Sequence, residues 1–290
     1  MFDFFRFRTI KKNILISILL SLPGLSSFQA SAQSFPITAD DEVSLYASTK
    51  QVNQFFSRFN NEESIDGIKY YDKDSLYRSS KTRSRFLNIV FDNANQNITD
   101  DLKQEFIKTV TNPAQPSFLN FHGGNWIAQV TAVFIWEGKE VDATLFLKLQ
   151  EEKIGSKWVI SKIKFKPFDE NFVKDTNDTK HFLHPLSHEL EFMNLYKVFH
   201  DDKNVLQDYT ERNYEPDFLT LFFYEIKKGN LKFKTVHEVK FHFFQIEGWY
   251  FELSEFNRIG NNTGWLISDL IKISPKEKKL LLKNIYHKYD

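Results

Sequence analysis

The 290-residue chain contains no cysteine. Disulfide stapling is therefore excluded, and stability has to come from burial. Net charge is also missing, with 38 basic residues against 38 acidic ones. A phosphate backbone calls for a basic face, so nothing here points to nucleic acid. Nor is there the general basic excess of a chain that hugs a membrane surface. Long apolar runs are absent: the longest, Ile14 to Leu22, is shorter than the ~20 residues a bilayer span requires. There is no P-loop, dinucleotide fingerprint, nucleophile elbow or zinc-finger spacing.

What stands at the start reads as an export signal. Arg6, Arg8, Lys11 and Lys12 precede the apolar run, Pro23-Gly24 breaks it, and Ala30-Ser31-Ala32 supplies a small-x-small cleavage pattern. No cysteine follows for lipid attachment. Residues 1–32 are expected to be a signal peptide, with an uncleaved anchor as the alternative. Without these four cations and Asp3, the mature part carries 34 basic and 37 acidic residues, a net of −3. The expected location is periplasmic or extracellular, with no stable membrane span after cleavage.

Phenylalanine is abundant, at 31 residues, and most of it falls at core spacing. Three segments recur in the same order. Val52, Phe55, Phe56 and Phe59 form an i, i+3, i+4, i+7 stripe, and Phe192, Leu195, Tyr196 and Phe199 repeat it 140 positions on. Phe86 to Phe91 matches Phe218 to Phe223, both read as short buried helices. Trp158 to Ile163 matches Trp265 to Leu270, each the last strand of its sheet. The offset falls from 140 to 107, so the second copy is the shorter. Part of the difference is an extra helix in the first copy, capped at Thr99, carrying Leu102, Phe106, Ile107 and Val110, and ended by Pro113.

Between these markers the chain alternates. In Val141 to Gln150 apolar and polar residues take turns, as in a half-buried antiparallel strand. Trp126 to Trp136 is apolar almost throughout and reads as a central strand, joined to the next by a turn at Glu137-Gly138. Phe233 to Ile246 and Trp249 to Phe256 repeat the theme. The fold class is α+β: two tandem helix-then-antiparallel-sheet domains, 43–167 and 188–273, joined by a linker over 168–187. Ser274-Pro275-Lys276-Glu277 is a capping box that opens a C-terminal helix over 274–290.

This element order resembles the cone-shaped α+β fold of the nuclear transport factor two and ketosteroid isomerase superfamily. The resemblance covers each repeat and carries no diagnostic motif. It implies a pocket enclosed by helices and sheet, and a superfamily that holds isomerases, dehydratases and many binding or scaffold domains.

Candidate site residues are few. Asp142, His237 and His242 lie on expected strands and are the catalytic candidates, with His237 and His242 pointing to opposite faces. Inside either cone no buried carboxylate or histidine bonded to a tyrosine is expected. His181, His184 and His188 are the metal candidates, although Pro185 interrupts their helical spacing. Trp249 and Tyr250 follow a turn and are candidates for stacking on a ligand such as a sugar. Arg78, Lys81, Arg83 and Arg85 form the densest basic run, read as a solvated helix face. No cofactor is implied. The expected function is an exported, non-enzymatic binding or scaffold protein of a bacterial envelope whose partner is a protein or small ligand. A small-molecule isomerase or dehydratase and a carbohydrate-binding protein are the alternatives.

Overall fold

In the computed structural model, residues 52–64, 67–153, 155–172, 182–183, 192, 195–200, 203–211, 213–259 and 262–286 are described. The signal-like segment, most of the expected linker and the His181, His184 and His188 group lie outside the described residues. The apolar stripe of the first helix, α1 over 52–60, is buried along its whole length, with Phe59 0 % exposed. Two more helices follow, α2 (Ser80–Leu87) and α3 (Asp100–Val110). The Thr99 hydroxyl accepts from Leu102 N and caps α3 as expected, and Phe106, Ile107 and Val110 are its buried face.

The strands are β1 (Trp126–Trp136), β2 (Lys139–Glu152), β3 (Gly155–Phe165), β4 (Leu231–Phe243), β5 (Trp249–Phe256) and β6 (Gly264–Lys272). Glu137 and Gly138 both take positive φ, +50° and +77°, the geometry of a two-residue turn that matches strand twist. All neighbouring strands are antiparallel, in the order β3-β2-β1-β4-β5-β6. The α+β class therefore holds, but the two expected sheets are one. The first strand of each repeat, β1 and β4, pair along Trp126↔Phe243 to Trp136↔Leu231. β5 pairs with β4 only over Lys240–Phe243, where β4 is mostly buried, and the stretch from Lys232 to Glu238 is exposed. Trp158 and Trp265 sit on the corresponding outermost strands.

Helices cover one face of this sheet, and they do so crosswise. Phe55 and Phe56 of α1 pack on Phe243 of β4, and Phe55 and Phe59 on Phe251 of β5. Conversely, Phe222 of α6 (Phe218–Lys228), which belongs to the second repeat, packs on Phe134 of β1 and Phe165 of β3. Helices from each half of the chain thus reach strands from the other half, although Phe56 of α1 also packs on Trp126 of β1.

Three expectations change in the packing. Phe86–Phe91 is not one helix: α2 ends at Leu87, and the chain at Phe91 forms a parallel bridge with Ile267 on the outer edge of β6. The expected linker begins with a helix, α4 (Lys166–Asn171), whose Phe168 is buried against Phe165 and Phe218. The second aromatic stripe, partly on α5 (Leu195–His200), is exposed where its counterpart on α1 is core: Phe199 is 66 % exposed. Periodicity reports a stripe but not what lies opposite it, and α4 and α6 already occupy the first repeat's strands.

The helix α7 (Pro275–Tyr286) begins at the expected capping box. Ser274 N and Oγ both donate to Glu277, and Glu277 N donates back to Ser274 Oγ. α7 lies on the sheet face opposite the other helices, with Ile285 buried beside Ile127, Phe146, Phe244 and Tyr250. No helix among the described residues is long and apolar enough to cross a membrane.

Candidate functional site

The space between helices and sheet is where the resemblance places a pocket. Aromatic side chains fill it: Phe106 meets Phe59, Phe91, Trp249 and Phe251, while Trp126 packs on Phe56 and Phe243. Trp249 is 4 % exposed in this cluster, so its expected stacking role is replaced by a packing one. Tyr250 is buried as well, on the other face against Phe244. Strand alternation and a neighbouring turn left both tryptophan and tyrosine open to either reading. Antiparallel partners on both sides of β5 decided for burial.

One charged group does lie deep beneath these helices. Arg83, expected on a solvated face, is 1 % exposed. Its guanidinium donates to the carbonyls of Phe59 (2.7 Å), Val110 (2.8 Å) and Ser117. Phe59 and Val110 close the last turns of α1 and α3, so the cation sits where two helices present their negative ends. Rings of Phe59 and Phe118 flank it. Burial lowers its pKa to about 10, which still leaves it charged at neutral pH. It is a structural tie, not an anion site.

The three catalytic candidates do not converge. Asp142 is exposed on β2, opposite Val133. His237 is exposed on β4, at the register shift between the Thr131–Glu238 and Ala132–Val236 pairs. Only His242 is buried, on the sheet face turned away from α1 to α6. Its Nδ1 lies 2.7 Å from the Tyr250 hydroxyl and its Nε2 3.1 Å from Gln129 Oε1. The Tyr250 hydroxyl donates onward to Glu252, and Asp269 lies across from Glu252 on β6. A histidine bonded to a tyrosine and a carboxylate was not expected, and it stands outside the filled interior where such a group was sought. Tyr250 and Glu252 are two apart on β5, so alternation puts both on one face, opposite Trp249, Phe251 and Leu253. That signal was present in the sequence. Gln129 and Asp269 join from other strands and carried none.

Burial sets the charges of this cluster. It pushes the His242 pKa down, against the pull of Glu252, so the ring is neutral at neutral pH. Burial together with Glu252 drives the Tyr250 pKa upward and keeps the phenol protonated. Asp269 is raised by burial and then by the Glu252 charge. With Tyr250 donating to Glu252, Nδ1 carries the imidazole proton toward the Tyr250 oxygen. A neutral ring then needs the Gln129 amide to offer its NH2 to Nε2. Every member has a fixed neighbour, so the cluster reads as an internal hydrogen-bond chain. Among the described residues no group of three or more acids, histidines or cysteines is placed to hold a metal ion.

A groove of about 820 Å³ opens at the surface between α1, the segments 61–64 and 67–79, and the loop over 118–122. One wall is backbone held by side chains. Asn60, buried, donates to Leu119 O (2.7 Å) and accepts from Leu119 N (2.8 Å). Gln245 does the same for Asn120, accepting from its N (2.8 Å) and donating to its O (2.7 Å). On the opposite wall Arg78 takes φ +52°, an uncommon conformation for a long side chain. It donates from Nε (2.8 Å) and Nη2 (2.6 Å) to Glu62 Oε1 and stacks over Phe118 at 4.6 Å. Lys69 and His122 line the same space. None of these residues except Arg78 stood out in the sequence, because asparagines and single charges in loops have no periodicity. Compared with known proteins, the chain matches no family model, no curated protein and no solved structure.

Proposed function

We propose that this chain is an exported, non-enzymatic binding protein of a bacterial cell envelope. The observation that carries the reading is the aromatic filling of the space between helices and sheet. A catalytic cone needs a titratable group in an open apolar cavity, where desolvation brings its pKa to the working pH. Here Phe59, Phe91, Phe106, Phe243 and Phe251 occupy that volume at under 2 % exposure. Support for export comes from the basic, apolar and Ala-x-Ala succession of residues 1–32. The resemblance in element order supports a binding or scaffold role, since that superfamily holds many such domains. The groove beside α1 is where a small ligand would be held.

The test is untargeted mass spectrometry of the mature chain incubated with an envelope extract. A retained ligand should be released by denaturation at unchanged mass, and no new mass should grow with time. A product that accumulates with wild-type protein, and vanishes with His242→Ala, would overturn the reading in favour of an enzyme on the sheet's outer face. Export is checked on the same sample by a mature N-terminus at Gln33.

A further inference from the structure

The groove beside α1 has a chemistry that narrows its ligand. Its backbone is already spent: both polar groups of Leu119 are bonded to Asn60, and both of Asn120 to Gln245. An extended peptide that adds to a strand edge needs such groups open, so this wall does not suit one. What remains for a ligand is side chains that both donate and accept. Asn53 and Ser57 of α1 and Asn120 line the groove, and since Asn120 Oδ1 already accepts from His122 N (3.0 Å), its amide NH2 is what it offers. Glu62 and Arg78 form a fixed pair in which Oε1 takes both guanidinium donors and a third from Asn60 at 3.3 Å. A carboxylate acceptor and a guanidinium donor thus stand next to each other on the groove wall. A hydroxyl is itself both donor and acceptor, and neighbouring hydroxyls match that arrangement. Phe118 and Phe121 supply apolar surface between the polar groups.

Charge adds a second criterion. The lining carries two cations, Lys69 and Arg78, against one carboxylate, Glu62, which Arg78 already engages. Among the described residues no carboxylate pairs with the Lys69 ammonium. Its backbone is held by the bridge to Glu63, which fixes the position of the side chain's base on the groove wall. A volume of about 820 Å³ lies within the usual range of small-molecule sites.

We infer that this groove binds a short saccharide carrying a carboxylate. Lys69 meets the carboxylate, while Glu62, Arg78, Asn53 and Asn120 read the hydroxyls. This deepens the binding-protein reading and rests on it.

The mature chain is titrated by calorimetry with digalacturonate, with cellobiose as a neutral disaccharide and with inorganic phosphate. Digalacturonate should bind, and cellobiose should bind about ten-fold more weakly, as befits the loss of one charge-assisted bond. Lys69→Ala, at an exposed position, should bring digalacturonate down to the cellobiose level and leave cellobiose unchanged. Asn120→Ala should weaken both, with unfolding curves confirming that the variants are folded. If neither disaccharide binds, the inference is wrong while the binding-protein reading stands. Equal affinity for both, or indifference to Lys69→Ala, overturns the acidic part. Phosphate that binds at Lys69 as tightly as digalacturonate overturns the saccharide part. Binding followed by conversion to a new product would confirm the site and overturn the non-enzymatic reading.

Discussion

At the scale of single residues, two buried polar groups govern how the protein responds to change. Arg83 serves three carbonyls, of which only that of Val110 has a second donor, Ser117 N at 3.1 Å. Replacing it with methionine keeps most of the volume but strips the Phe59 and Ser117 carbonyls of their donor. Arg83→Met should cost about 3 kcal/mol, and possession of one remaining donor group should make Arg83→Lys milder. Urea unfolding of both variants measures the difference. His242 acts through protons. Its folded pKa lies below the unfolded value of about 6.5, so the unfolded chain binds more protons once pH falls beneath that value. The stability it contributes is complete above about pH 6.5 and is lost as pH falls through the folded pKa. Lys240 and Lys164 act in the same direction and Glu252 against it. The urea midpoint of the wild type should drop on acidification below about pH 6.5, and His242→Gln should flatten that part of the profile. An unchanged profile would show that His242 takes up its proton at the same pH folded and unfolded, against a lowered folded pKa.

Elements differ in how completely they were legible. Helices α3 and α7 and the β1–β2 hairpin follow from local signals: Thr99, the Ser274–Glu277 box and Glu137-Gly138 each name a boundary in a few residues. Strand β2 follows from alternation. The candidate site was less legible because its members come from distant loops and strands, and a buried hydrogen bond leaves no period behind. The fate of Phe86–Phe91 depended on an edge. The outer margin of β6 has unpaired backbone groups, and residues 90–92 cover it: Ile267 N donates to Val90 O (2.8 Å), and Asp92 N to Ile267 O (2.9 Å). Arg258 fastens this segment by donating to Asp92 Oδ1 (2.6 Å), and Asn262 Nδ2 donates to Phe91 O (2.7 Å). Asp92→Ala should loosen the cover more than the core. Amide exchange at Ile267 should quicken by roughly ten-fold, for a lost charge-assisted bond of about 1.5 kcal/mol, while exchange in the β1–β4 ladder stays as it was.

At the scale of the molecule, the recurring segments do not mark independent units. The three segments place β3 and β6 last, as expected, but Phe86–Phe91 is not one helix and the second aromatic stripe is exposed. They could not reveal that β1 and β4 would pair, or that helices would be exchanged across that seam, since both depend on contacts between the copies. Neither repeat owns a finished core: α1 needs β4 and β5, and Phe222 needs β1 and β3. Fragments 33–180 and 181–290, made separately, should each lack a cooperative unfolding transition. Mixed, they should assemble one-to-one and regain it, as followed by near-ultraviolet circular dichroism. A first fragment that folds alone with native aromatic signals would contradict the crossed packing.

The same crossing bears on timing. Phe55 must wait for Phe243, roughly 190 positions downstream, before its ring is covered, and contacts so far apart in sequence close slowly. Until the second half has been made, Phe55 and Phe59 lack the Phe243 and Phe251 rings they settle on. The arrangement that makes the finished protein indivisible also keeps the growing one pliant until β4 and β5 have been made.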